Sequence, residues 1–168
     1  MKNVLYSLAL AACLAQPLAA QERGGTLNFA RYDGSTLIDP IYADKNPDIW
    51  MVGSLFDTLL RSSPDGNALE PGLAASYEVA ADGLSITLMI REDVKFSDGS
   101  AMTADDVVFS LERARNSDLT PWAGLLGAVD AVTKDGSTVT LTLKQPDPTV
   151  PAILATFNTA IVSKAAFD

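Results

Sequence analysis

The chain has 168 residues, 48% of them hydrophobic and 20% charged, a balance that reads as globular rather than disordered and fits one domain or a piece of a larger one. Asp and Glu outnumber Lys and Arg by 21 to 12, and there is no histidine. A net charge of −9 is solubilising, and it argues against nucleic-acid binding, which requires clustered Lys and Arg on phosphates.

In chain order, residues 1–20 come first. One positive charge at Lys2 precedes the short apolar run "VLYSLALAACLA", and "QPLAA" closes with small residues. This is a secretory signal pattern, too short for a mature membrane span, with cleavage expected after Ala20. "LAAC", ending at Cys13, resembles a lipoprotein box, but it sits very early and a good small-residue site follows it. Loss of Cys13 with the signal leaves a mature chain without cysteine or histidine. That excludes a disulfide framework and the familiar zinc and copper sites.

"GGTLNFARY" (24–32) alternates as an early strand after a flexible glycine pair. Asn46 is the expected cap of a helix with Pro47 at its first position, and Ile49, Val52, Phe56, Leu59 and Leu60 place an amphipathic helix from Asp48 to Leu60. "SSPDGN" (62–67) is a turn. "SYEV" and "SITLMI" form a hairpin about Asp82-Gly83, and "KFSDG" is a short extended piece ended by Asp98-Gly99.

Thr103 then reads as an N-cap, with Asp106 as its capping-box partner and Met102 and Val107 as a hydrophobic staple. Asp105 and Asp106 in the first turn and Arg113 and Arg115 in the last complement the helix dipole, while Val107, Val108, Leu111 and Ala114 make the buried stripe. A second hairpin spans 128–146 about Asp135-Gly136, with Val139, Leu141 and Leu143 on one face. "VPAILATF" reads as a short helix, "NTAIVS" as a strand and "KAAFD" as a helix just beginning. The architecture expected is α+β with antiparallel hairpins.

Chemistry is scarce. Adjacent helical carboxylates such as Asp105 and Asp106 point apart, whereas paired-acid catalysis requires facing ones. Gly24-Gly25 lacks the spacing of a phosphate-binding loop. Ser97, Ser100 and Ser110 have no histidine base, so a Ser-His-Asp triad is impossible within these residues. Lys95 reads as an exposed strand charge rather than a Schiff-base lysine, which requires burial. Trp50 opens a helix. Trp122, in the loop "DLTPWAGLL", is either a plug over the core or a platform for a ligand.

"DGLSITLMIREDVKFSDGSAMTADDVVFSLERA" (82–114) resembles the signature segment of family 5 solute-binding proteins, the peptide- and nickel-type extracytoplasmic receptors of ABC importers. "GGTLNFARYDGSTLIDPIYA", "LFDTLLRSSPDGNALEPGLAASYEV" and "GSTVTLTLKQPDPTVPAILA" are similar to the family's flanking segments, in the family's order. The resemblance implies a mixed α/β, periplasmic-binding-protein-like (type II) fold, of which this chain carries an incomplete first lobe with its extra subdomain. In those terms residues 1–20 are the signal, 21–57 the start of lobe I, 58–155 the subdomain and 156–168 the return to lobe I.

The signature then belongs to a folding element, which explains why it is ordered yet chemically empty. The resemblance further implies a non-enzymatic periplasmic receptor without cofactor or metal. Its expected partners are a small solute, an oligopeptide by preference, and a membrane ABC permease, and the full-length protein is expected to be monomeric. Asp44, Lys45 and Asn46, after Asp39-Pro40, match the cleft-lining segment. Trp122 matches a ligand-facing aromatic, and Asn158 and Thr159 match the return to the cleft floor. Two other readings stay open on the residues alone: a secreted enzyme whose catalytic residues lie beyond residue 168, and a stand-alone binding module.

Overall fold

The computed structural model describes residues 33–116 and 118–167, together with Gly25, Thr26, Asn28 and Ala30. The signal segment, Cys13 and the alternating side chains Leu27, Phe29 and Arg31 of the early strand lie outside the described residues. The chain divides into two units, Met1–Tyr32 and Asp33–Asp168. In the first, the four described residues are exposed. All that follows concerns the second.

Helix α1 (Asn46–Leu55) is followed by a short hairpin of β1 (Leu60–Ser62) and β2 (Leu69–Pro71). Strands β3 (Ala74–Val79) and β4 (Ser85–Ile90) come next, then helix α2 (Ala104–Arg115). Strands β5 (Val129–Asp135) and β6 (Thr138–Leu143) precede a single-turn helix α3 (Val150–Ile153) and 3-10 turns at Phe157–Thr159 and Lys164–Ala166. The two long hairpins merge into one antiparallel sheet in the order β3-β4-β6-β5, with Leu88 opposite Val139 and Ile86 opposite Leu141 across the seam.

Period-two alternation puts Ile86, Leu88, Val139 and Leu141 on one face, all fully buried. Against that face lies α2, whose Val107 and Leu111 are also fully buried. Both hairpins turn at an Asp-Gly pair with the glycine in the left-handed region: Gly83, at φ +69°, lies in the longer loop closed by Ala80 N–H on Ser85 O, and Gly136, at φ +57°, lies in the two-residue turn between Asp135 and Thr138.

Helix α1 departs from its 3.6-residue pattern. Lys45, not Asn46, occupies the cap position, with Asn46 and Pro47 inside the first turn, and the helix ends at Leu55 rather than Leu60. The reason is tertiary. Residues 57–60 leave the helix, bend at Leu59 and are paired on both sides: Thr58 O accepts from Leu73 N–H at 3.0 Å and Leu59 O from Gly72 and Ala74 N–H, while Asp57 O accepts from Ile161 N–H at 3.0 Å. Leu59 and Leu60, expected on a helical stripe, are fully buried from this stretch instead. A Cβ at Gly72 would lie 2.5 Å from Thr58 O, so the close pairing demands glycine there.

The stretch read as a strand at 158–163 is also different. Phe157–Thr159 is a 3-10 turn, and 160–163 is extended but unladdered, because α2 side chains take its backbone groups in place of a strand neighbour. Ser110 Oγ accepts from Val162 N–H at 3.0 Å, while its own proton goes back to Asp106 O at 2.7 Å. Asp106 Oδ1 accepts from Lys164 N–H at 2.8 Å. The other carboxylate oxygen of Asp106 accepts from both the backbone and the hydroxyl of Thr103, each at 2.8 Å, which is the reciprocal half of the expected capping box. The acidic pair is thereby resolved, since Asp105 instead meets Lys134 Nζ at 2.7 Å.

In the first turn of α1, Asp48 is 2% exposed, and its Oδ1 accepts from Ser35 Oγ at 2.8 Å and from the backbone N–H of Thr36 and Leu37 at 2.8 and 3.2 Å. The Ser35 hydroxyl foremost, then the Thr36 N–H, holds its pKa below the ordinary 3.8.

Two outcomes are expected. Asp106→Ala strips the acceptor from Thr103 and Lys164 together and lowers stability by about 2–4 kcal/mol in denaturant unfolding. A carboxyl whose pKa falls on folding contributes stability above its unfolded value and loses it as pH drops through the folded one. Hydrogen-exchange protection of the Thr36 and Leu37 amides is therefore retained at pH values above 3.8 and lost only below that value.

Candidate functional site

The segment leading into α1 is a single turn built on Asp39-Pro40. Asp39 O accepts from Tyr42 N–H at 3.2 Å and Ala43 N–H at 3.1 Å, and its Oδ1 from Ile41 N–H at 3.1 Å. Asp39 Oδ2 meets Arg113 Nη2 of α2 at 2.8 Å, with the two side chains only 16% and 11% exposed. The Arg113 guanidinium lies 4.1 Å from the Phe167 ring centroid and 5.7 Å from that of Phe109, a cation–π arrangement that shields the ion pair from water.

The loop after α2 grips the same turn. Thr120, 5% exposed, donates its hydroxyl to Ile41 O, and Trp122 donates Nε1–H to Ala43 O at 3.0 Å. Trp122 N–H in turn donates to Thr120 Oγ1 at 3.1 Å. The Trp122 ring stands edge-on to Phe157, with centroids 5.5 Å apart and planes at 89°. Half-buried, Trp122 is neither a simple plug nor a free platform, because its polar edge is committed to the Asp39 turn.

Asp44, Lys45 and Asn46 are exposed at the N-terminal end of α1, directly after the carbonyl that Trp122 holds. Asn158 follows Phe157 and is 1% exposed. Its side-chain amide meets the Thr156 hydroxyl, Oδ1 to Oγ1 at 2.7 Å, a hydroxyl that also lies against the Ile153 carbonyl, and its Nδ2 is buried without a hydrogen-bond partner. Thr159 is fully buried, and its hydroxyl is shared between the Ile153 and Thr156 carbonyls, each at 2.9 Å. Asp44, Lys45 and Asn46 thus follow Ala43, whose carbonyl Trp122 holds, the Trp122 ring meets Phe157, the residue before Asn158, and Thr159 is turned inward.

Sequence reasoning missed Arg113 and Thr120. Arg113 was accounted for by the helix dipole, and Thr120 carried no signal at all. A separate groove of about 420 Å³ is lined by Ile38, Pro40, Phe56, Phe96, Ile161 and Phe167, and shares none of the six predicted residues. Lys95 and Ser97 reach it, without a histidine anywhere in the chain to activate either. Among the described residues no cluster of three or more His, Cys, Asp or Glu could hold a metal.

Comparison with known proteins follows the same lines. Residues 68–168, more than half of the chain, match the model of bacterial extracellular solute-binding proteins, family 5, middle region. The chain is 34% identical over 106 residues to the probable peptide-binding protein YejA of Agrobacterium fabrum, covering 59% of this chain and 16% of that one. It is 33% identical over 135 residues to the glutathione-binding protein GsiB of Salmonella typhi, covering 79% of this chain and 26% of that one.

Among solved structures, MoaA of A. tumefaciens R10 in complex with mannopinic acid superposes with a TM-score of 0.73 at 35% identity, over 79% of this chain and 28% of that one. The chain therefore spans roughly a quarter or less of the length of the curated relatives named here. The sheet, the signature helix and the matched residues agree: the chain belongs to the family 5 bacterial extracellular solute-binding proteins.

Proposed function

We propose that this chain forms the first part of a periplasmic receptor of an ABC importer, capturing a peptide-like solute without transforming it. Residues 1–20 direct export. Residues 21–57 open the first lobe, 58–155 form its subdomain, and 156–168 return to the lobe. Ligand lies against Asp44, Lys45 and Asn46, beside the Trp122–Phe157 pair, with the buried Asn158 amide facing the same neighbourhood and Thr159 bracing its loop. A second lobe closes over the ligand, shifting an open–closed equilibrium by differential affinity, and the closed monomer docks on a membrane permease.

The observation that carries this reading is the exposed trio Asp44–Asn46, held between a buried turn and a helix in a chain of this family. Relatives named for peptide and glutathione binding support a peptide-like ligand. An exposed carboxylate and ammonium side by side at Asp44 and Lys45 suit the paired charges of a zwitterionic solute.

Titration of the full-length protein with glutathione and with a panel of di- to pentapeptides is expected to quench tryptophan fluorescence. The response should disappear in Trp122→Phe and survive in Trp50→Phe. Silence towards every probe, with the protein folded, would sink the reading.

A further inference from the structure

We infer that Thr120 and Trp122 are positioning residues for the ligand-facing segment Asp44–Asn46, acting through the Ile41 and Ala43 carbonyls rather than through the ligand. This rests on the ligand reading above. It adds to any contact made by the Trp122 ring a separate duty for its N–H.

The spacing carries the inference. Acceptors two residues apart, Ile41 O and Ala43 O, meet side-chain donors two residues apart, Thr120 Oγ1 and Trp122 Nε1. The loop after α2 thus supplies side-chain donors to two carbonyls of the Asp39 turn. Three of the four residues involved are buried, with Ile41 2% exposed, Ala43 0% and Thr120 5%, and Trp122 is half-buried. The Thr120 hydroxyl has a single proton and gives it to Ile41, and its oxygen accepts from the Trp122 backbone N–H. Trp122 N–H, Thr120 hydroxyl and Ile41 carbonyl therefore form a relay in which each bond polarises the next.

Such fastening is needed. The Asp39 turn has only one turn's worth of backbone bonds, and an isolated helical turn does not hold itself in water. The Arg113–Asp39 ion pair fixes its start, and Thr120 and Trp122 fix its middle and end. On the far side, buried Pro47, Asp48 and Val52 anchor α1. Asp44, Lys45 and Asn46 are exposed between two anchored ends, so little freedom is left to lose when a ligand arrives, which is what preorganisation means for affinity.

Amide hydrogen exchange of the ligand-free full chain tests this without reference to any ligand. Thr120→Val and Trp122→Phe are each expected to speed exchange of the Ile41, Tyr42 and Ala43 amides about tenfold, while the Val107–Leu111 amides of α2 keep the parental rate. Thr120→Ser, which retains the hydroxyl, restores slow exchange at 41–43. Parental exchange at 41–43 in both disruptive variants, or an equal acceleration throughout α2, overturns the inference.

In a second arm with glutathione as probe, Thr120→Val weakens binding several-fold and Thr120→Ser does not. Equal affinity of the parent and Thr120→Val for glutathione also overturns the inference. A parent that ignores glutathione counts against the ligand reading alone, and the exchange result then decides the positioning role.

Discussion

Buried backbone N–H groups must find acceptors, and in the extended run at 160–163 a neighbouring backbone supplies one to Ile161, at Asp57. Helix α2 supplies the rest. Asp106, Ser110 and Arg113 follow one another at i, i+4 and i+7, one face of the helix, and reach Lys164 N–H, Val162 and the Asp39 carboxylate with the Phe167 ring. A polar stripe beside the apolar one makes α2 a helix with two working faces. Val107 and Leu111 close the sheet, and the polar stripe holds the Asp39 turn and the segment 162–164. The signature segment holds no reactive group, yet the rest of the unit hangs from it.

Local code was legible and tertiary substitution was not. Both Asp-Gly hairpins, the capping box at Thr103 and Asp106, and the buried stripe of α2 stand where periodicity and turn chemistry put them, because each is settled within a few residues. Helix α1 was read too long because Leu59 and Leu60 fit a 3.6-residue period as well as an extended run, and only pairing with Gly72–Ala74 and Leu154 decides between them. The stretch 160–163 has strand composition, but it has side chains for neighbours. A pattern of apolar residues carries no record of who accepts a backbone proton.

The proposed ligand-facing edge rests on family likeness more than on its residues. Asp44, Lys45 and Asn46 have no periodic or motif signal of their own, and their place beside Trp122 emerges only when Ala43 O is seen to be held. Asn158, by contrast, declares itself physically. Its Nδ2 is the one buried side-chain polar atom among the described residues left without a partner, in a chain that elsewhere spends its donors carefully.

The sheet order also dictates how the unit can assemble. Strand β4 must find β6 rather than β5, and all of α2 and its following loop intervene between β4 and β5. The two hairpins are short closures, whereas the central seam joins distant parts of the chain and carries a larger entropic cost. Placing the helix inside that long excursion turns the excursion into compact structure. The excursion between β4 and β6 therefore carries its own capped helix, and the most sequence-distant pairing in the sheet is bridged by the segment with the strongest local signals.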